Sequence, residues 1–355
     1  MELIGHTVEG MEGQAVEELE DILDLESSEV EPGRAIVEAS DRSVFQANYL
    51  SGTCSRFAVL LDRFELQSTK EAYEKIETDF SEVLKSGQSF AVRVNRRGDH
   101  EFSSQDIAME AGQKIVDSFE EATGETPEVD LDNPDVEFIL DLFEDRAYLG
   151  VDTTGESLNS RTYLNSESRT PPILANCLLR SSHWKPGEPL IDPFCGEGVI
   201  PVEAGRIACK IPNHGRRFAF LDLKFVDRAK YAEVAERAKK DMNIHELDVR
   251  GSDMELEGAE NHAESSGLNI SFREENPLSV PLNSDHIVLH SPFIQQKSKR
   301  KEIAEVMEQF ERRFLNSDSR SMTCFTEDKN FFEEYDSAEE ASIGSMEGWV
   351  VKWQT

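Results

Sequence analysis

The 355-residue chain has no uncharged apolar run approaching the roughly 18 to 20 residues that a membrane-spanning helix needs, so no span is expected. Its start, Met1-Glu2-Leu3-Ile4-Gly5-His6, lacks the basic and long apolar segments of a secretory leader, and a cytoplasmic protein is expected. Only five cysteines occur (Cys54, Cys177, Cys195, Cys209 and Cys324). They are odd in number, scattered and never spaced Cys-x-x-Cys, which argues against a disulfide framework and against a zinc site; no metal is expected. No repeat of about 20 to 50 residues marks a solenoid or propeller. The low-complexity bias of a disordered chain is also missing, and 38% of the residues are hydrophobic.

Cations are scarce as well: 37 Lys+Arg, of which 15 are Lys, face 71 Asp+Glu, a formal charge of -34. The acidity is spread through Glu17–Glu31, Glu120–Asp145, Glu255–Glu264 and Glu333–Glu340 rather than packed into a tail. At molar salt the Debye length falls to about 3 Å and screens such self-repulsion, so a salt-adapted, halophilic cytoplasm is expected. Acidity of that origin does not exclude a nucleic-acid partner.

The length suggests two to three domains, and the pattern is α/β throughout. Strand Leu3–Glu9, helix Ala15–Leu25, strand Arg34–Ala39, helix Asp41–Tyr49 and strand Arg56–Asp62 predict a ferredoxin-like unit. A second unit follows: a helix from Lys70 through Val83, a strand over Ser89–Asn95, a helix over Asp106–Glu120 capped by Ser103 or Ser104, and strands Val136–Phe143 and Ala147–Asp152. The Gly/Ser/Asn-rich connection Thr153–Thr170 leads into helix Pro171–Ser182, strand Pro189–Asp192 and helix Val199–Ala208. Strands at Val249–Ser252, Ile270–Arg273, Ile287–Leu289, Met322–Thr326 and Trp349–Trp353 complete a doubly wound, Rossmann-like pattern.

A strand ending in Asp192, a turn through Phe194, Cys195, Gly196 and Gly198, and a helix start together form a ligand site at the carboxyl edge of a parallel sheet. Pro201 stands where a dinucleotide fingerprint needs its third glycine, which disfavours a nicotinamide or flavin. Asp253 ends the next strand, placed to accept from ribose hydroxyls, and Glu275 follows the one after, placed to accept an adenine amine. The fourth strand ends in His290-Ser291-Pro292-Phe293, a turn suited to holding a planar base, with Phe293 as a stacking face. Singly, these features also fit an ordinary glycine turn, solvated carboxylates and a core phenylalanine; three acidic residues at successive strand ends favour a joint site.

The run Ile191-Asp192-Pro193-Phe194-Cys195-Gly196-Glu197-Gly198 with Glu203-Ala204 resembles the D-P-[MF]-C-G-S-G-T…E-A motif of THUMP-domain class I RNA methyltransferases that use S-adenosylmethionine. Residues Val129–Val136 and Gly150–Leu158, the linker Arg161-Thr162-Tyr163 and Arg216–Phe220 resemble further segments of that family in the same order. The closest subgroup is the archaeal tRNA guanine-N2 methyltransferases. The resemblance implies a ferredoxin-like domain at 1–65, an RNA-binding THUMP domain at 66–156, a linker at 157–170 and a Rossmann-like methyltransferase domain at 171–355. It implies S-adenosylmethionine held by Asp192, Phe194, Cys195, Gly196, Gly198, Asp253 and Glu275. It also implies RNA, most readily tRNA, as the partner of a monomer, and transfer to guanine N2 at His290, Ser291, Pro292 and Phe293.

The RNA-binding candidates are Arg93, Arg96, Arg97, His100 and Arg161, together with Lys297, Lys299, Arg300 and Lys301 just after the target-base turn. Two departures from the family pattern stand out. His290-Ser291 replaces Asn-Pro of N-P-P-[YF], and Glu197 replaces a serine, setting a negative charge near the cofactor's carboxylate end. A neutral imidazole keeps one acceptor nitrogen and a protonated one keeps none, so activity is expected to fall as pH drops through the histidine range. The alternatives are an RNA-binding protein that keeps the fold without turnover, or a ribosomal-RNA guanine-N2 methyltransferase.

Overall fold

Two sheets organise the chain, and the computed structural model describes residues 1–164, 168–283, 285–292 and 299–354. The first sheet begins with a βαββαβ unit: β1 (Glu2–His6), α1 (Glu12–Ile22), β2 (Leu25–Glu31), β3 (Arg34–Ala39), α2 (Ser43–Leu50) and β4 (Arg56–Glu65). Its strands lie in the order β2-β3-β1-β4, all antiparallel, the ferredoxin-like arrangement. The strand β2 has no counterpart in the sequence reading. Its Leu-Glu-Ser-Ser-Glu-Val-Glu run is almost wholly exposed, the charged edge by which a sheet avoids pairing with other molecules, and so carries no apolar alternation.

The sheet continues through α3 (Thr69–Lys75), β5 (Ser89–Arg97), α4 (Ser104–Thr123), β6 (Glu128–Val129), β7 (Val136–Phe143) and β8 (Arg146–Asp152). Pairing of β4 with β8, from Ala58↔Asp152 to Glu65↔Arg146, fuses both halves into eight strands in the order β2-β3-β1-β4-β8-β7-β5-β6. One apolar core, containing Phe57, Phe80, Phe90 and Phe138, runs beneath both. The helix expected through Val83 stops at Lys75. The Asp62 carboxylate accepts from the backbone N–H groups of Glu77 and Thr78 (3.4 and 3.1 Å), drawing the chain out of helical geometry before the short 3₁₀ turn Phe80–Glu82. The next helix, α4, starts at a capping box: Ser103 Oγ accepts from Asp106 N while the Asp106 carboxylate accepts from Ser103 N.

The second sheet is built from α5 (Pro172–Ser181), β9 (Leu190–Asp192), α6 (Val199–Cys209), α7 (Arg228–Asp241), β10 (Val249–Asp253), α8 (Ala259–Ser265), β11 (Ser271–Glu274), β12 (His286–His290), α9 (Arg300–Leu315), β13 (Ser321–Thr326), β14 (Ser337–Ile343) and β15 (Met346–Gln354). Its order is β11-β10-β9-β12-β13-β15-β14. The pairs from β11 to β13 are parallel, and β15 runs antiparallel to both its neighbours. The edge strand β14 also escapes the sequence reading: Ser-Ala-Glu-Glu-Ala-Ser-Ile has one β-branched residue and no aromatic, and its two exposed glutamates break the apolar alternation. Between β9 and β12 the winding reverses, which opens a crevice at the carboxyl ends of these strands.

Candidate active site

At the end of β9 the Asp192 side chain is buried, with Oδ1 accepting from Phe194 N at 3.0 Å. The turn that follows is fastened to β10: Cys195 N donates to Ser252 O (3.0 Å) and Gly196 N to Asp253 Oδ2 (2.9 Å). Gly198, at φ +75°, caps α6; a methyl group there would lie 2.7 Å from the Ala259 side chain and 2.9 Å from Phe272, so this position admits only glycine. Gly196, at φ +47°, would meet nothing within 4 Å, and its bare backbone faces open space.

That space is a cavity of about 600 Å³, a size suited to a small-molecule ligand. Phe194, Cys195, Gly196, Glu197, Asp253 and Met254 form one wall, and Asn276, Pro277 and Leu278 extend it past β11. Opposite stand His290, Ser291 and Pro292 at the end of β12, with Lys299, Glu302, Ile303 and Val306 at the start of α9; Arg169, Thr170, Val199 and Glu257 complete the lining. Burial, then the neighbouring charge of Asp253, pushes the Asp192 carboxyl well above the ordinary carboxylate range. No cation among the described residues pairs with it, so only an incoming cationic group would favour its ionised form. Burial and the two carboxylates also push the Cys195 thiol up, which removes it as a nucleophile.

His290 is buried against the edge of Phe325 (ring centroids 5.1 Å, 82°), and its Nδ1 lies 3.0 Å from Thr170 Oγ1. Burial lowers its pKa to about 4. The expected loss of a neutral imidazole through the ordinary histidine range is therefore corrected: the ring stays neutral well below that range because the site excludes the water that would solvate its charged form. Ser291 donates its N–H to Phe325 O (2.9 Å). Glu197 is engaged, its Oε2 accepting from Ser168 Oγ (2.6 Å) and Arg169 N (3.0 Å), so its charge is spent on the 168–170 segment.

The structure thus brings Phe194, Cys195, Gly196, Asp253, His290, Ser291, Pro292 and Lys299 to one cavity, with Asp192 and Gly198 in the turn that shapes it. Glu275 does not line the cavity; its backbone N–H binds Asp253 O at 2.8 Å. Asn276, Pro277 and Leu278 line that end instead, marked in sequence only by an Asn-Pro step. Phe293 and Lys297 lie outside the described residues. Arg300 pairs with Asp328 and stacks on Phe331, while Lys301, well exposed, lies 3.6 Å from Glu305. Arg93 binds Glu137 and Leu131 O, Arg96 binds Phe102 O, Arg97 binds Glu9, and His100 sits against Gly98 O and Glu144 O, the three arginines on β5 and His100 in the loop after it.

Arg161 is not at the surface at all. It is 5% exposed, with its guanidinium on Glu203 (3.0 Å) and Asn213 (2.7 Å), and Tyr163 OH and Asn176 Nδ2 donate to the same carboxylate (2.8 and 2.7 Å). Asn213 Nδ2 in turn donates to Ser51 O at 2.7 Å, linking this cluster to the first unit. An RNA contact at Arg161 is therefore replaced by a structural one. Sequence reasoning also missed Arg169, Thr170 and Glu257, since nothing local marks a linker residue that folds back over a strand end.

Residues 161–350 match the RMKL-like methyltransferase domain family, and residues 67–152 match the THUMP domain. The chain is 30% identical over 354 residues to the tRNA (guanine(6)-N2)-methyltransferase of Archaeoglobus fulgidus, covering 97% of this chain and 87% of that one. It is 29% identical over 318 residues to the enzyme of the same name from Methanocaldococcus jannaschii, covering 84% and 83%. The crystal structure of a possible methylase from Clostridium difficile superposes with a TM-score of 0.89 at 20% identity, covering 99% of this chain and 97% of that one, which shows a shared fold. With a THUMP domain followed by a class I methyltransferase domain, this chain belongs to the RMKL-like methyltransferase family.

Proposed function

We propose that the protein transfers a methyl group from S-adenosylmethionine to the exocyclic N2 of a guanine in tRNA, at position 6, the activity named for its archaeal relatives. The single observation that carries this reading is the convergence on one cavity of two groups: the glycine turn with the strand-end carboxylate Asp253, and the His290-Ser291-Pro292 turn at the end of β12.

The residues present fit the cofactor. A buried carboxyl without a cation (Asp192) suits an ammonium group, Asp253 suits ribose hydroxyls, Pro277 and Leu278 offer apolar surface for a base, and Gly196 leaves backbone open to the ligand. When bound, S-adenosylmethionine supplies an electrophilic methyl group. The chain's own part is orientation, which alone can account for several kcal/mol of a barrier. The Ser291 carbonyl and the neutral His290 ring accept hydrogen bonds from the two N–H groups of the guanine amine, so that its lone pair is directed away from them; one of the two N–H protons passes to solvent as the new N–C bond forms. In the family pattern Phe293 is the stacking face for the guanine ring.

The THUMP-containing half and the cations Lys297, Lys299, Arg300 and Lys301 hold the RNA. The protein acts as a monomer in a salt-rich cytoplasm, where the net charge of -34 is screened. Incubation in molar KCl with methyl-labelled S-adenosylmethionine and unmodified tRNA, then digestion, should yield label in N2-methylguanosine. Label in ribosomal RNA alone, or in no nucleoside, contradicts the proposal.

A further inference from the structure

The connector residues Ser168, Arg169 and Thr170 cross the carboxyl ends of three central strands, and each is fastened to a different one. Ser168 Oγ and Arg169 N donate to Glu197, which follows β9. The Arg169 guanidinium reaches Glu257, which follows β10, at 2.7 Å. Thr170 Oγ1 lies 3.0 Å from Nδ1 of His290, the last residue of β12. Thr170 N also donates to Ser168 Oγ at 3.3 Å, which ties the Thr170 backbone to the residue that grips Glu197.

A neutral imidazole has one N–H and one lone pair, and the partner of one nitrogen decides the role of the other. The threonine hydroxyl can serve in either direction. If it donates to Nδ1, the ring proton sits on Nε2, and the ring presents a donor. If it accepts from Nδ1–H, Nε2 keeps its lone pair and presents an acceptor. A guanine amine brings donors, so only the second arrangement is compatible with it.

We propose that Thr170 is a positioning residue: it accepts a hydrogen bond from His290 Nδ1–H and thereby holds the imidazole in the tautomer whose Nε2 accepts from the exocyclic amine. This assignment rests on His290 being the acceptor residue of the proposed reaction. It explains how an imidazole does the work of the carboxamide oxygen in the family motif. The hydroxyl fixes which nitrogen is the acceptor, and the clasp on Glu197 fixes where the hydroxyl stands.

The test is two-bond proton–nitrogen NMR on protein labelled with [15N]histidine, in molar KCl, with His290→Asn used to identify the His290 signals by their loss. The wild-type ring should show a protonated Nδ1 and a bare Nε2. Thr170→Val, which keeps the shape without the hydroxyl, should shift the ring to the Nε2–H form or to a mixture, and Thr170→Ser should restore the wild-type pattern. In parallel, Thr170→Val should lower kcat on tRNA about tenfold to a hundredfold, with both KM values and the melting temperature little changed, and Thr170→Ser should recover the rate. A wild-type ring protonated on Nε2, or an unchanged tautomer in Thr170→Val, overturns the proposal. If the wild-type protein methylates no tRNA, the proposed function fails, and the NMR result still decides the role of Thr170.

Discussion

The guanidinium of Arg161 and the carboxylate of Glu203 meet at 3.0 Å in a pocket nearly closed to water, their side chains 3% and 2% exposed. Arg161 belongs to the connector between the two units and Glu203 to α6, and through Asn213 the pair reaches the backbone of the first unit. Burial alone would raise the Glu203 pKa; Arg161 and Arg206 outweigh it and hold the carboxylate charged. Removing one partner strands the other charge. Glu203→Ala and Arg161→Ala should each destabilise the protein by about 3–5 kcal/mol, read as a lower unfolding midpoint in molar KCl. The double variant Arg161→Met/Glu203→Leu should lose less than the sum. Single losses below about 1 kcal/mol would mean that the pair does not secure the junction.

Gly198 should tolerate no side chain. Gly198→Ala places a methyl group 2.7 Å from Ala259 and keeps a positive φ, a combination expected to cost about 1–3 kcal/mol and to weaken S-adenosylmethionine binding. Gly196→Ala meets no atom within 4 Å of the protein and carries only the cost of its positive φ, about 1 kcal/mol, so it should destabilise less than Gly198→Ala and act mainly on cofactor binding. Calorimetric binding and thermal melts on both variants separate the two effects; equal stability losses would contradict the assignment.

The buried ring of His290 sets the pH dependence. Its folded pKa is about 4, below the ordinary 6.5, so between these values the unfolded chain binds a proton that the folded one does not. Stability from this group is complete above the ordinary value and is lost as pH falls through that window. The rate should therefore be flat with respect to His290 from about pH 5 to 8 and fall only towards pH 4. An acid limb near 6.5 that disappears in His290→Asn would show a solvated ring instead.

Salt should act on the surface rather than on the buried pairs. Asp141, for instance, is buried, which alone would raise its pKa, yet His6 and Arg34 hold it well below the ordinary carboxylate range. With a net charge of -34, the melting temperature should rise between dilute buffer and molar KCl as the Debye length contracts from about 10 Å at 0.1 M to about 3 Å. Equal melting in both would remove the salt-adaptation reading.

Much of this was legible beforehand, for identifiable reasons. Buried strands such as β7 and β12 announce themselves by apolar runs, and the turn after Asp192 by glycines whose backbone angles other residues avoid. The edge strand β2 was silent because its side chains face water and carry charge, and β14 because small and acidic residues interrupt its apolar pattern. Arg161 was misread because a basic residue beside an aromatic looks alike whether it meets RNA or a buried glutamate 42 residues away. Thr170 could not be found at all, since its partner lies 120 residues along the chain.

The proposed reaction turns on one nitrogen, the exocyclic N2 of guanine. The most direct test uses two tRNA transcripts that differ only at position 6, one with guanosine and one with inosine, which lacks the exocyclic amine, incubated with labelled S-adenosylmethionine in molar KCl. The account predicts label in the guanosine transcript and none in the inosine transcript. Equal labelling of both would place the methyl group on some other atom and contradict it.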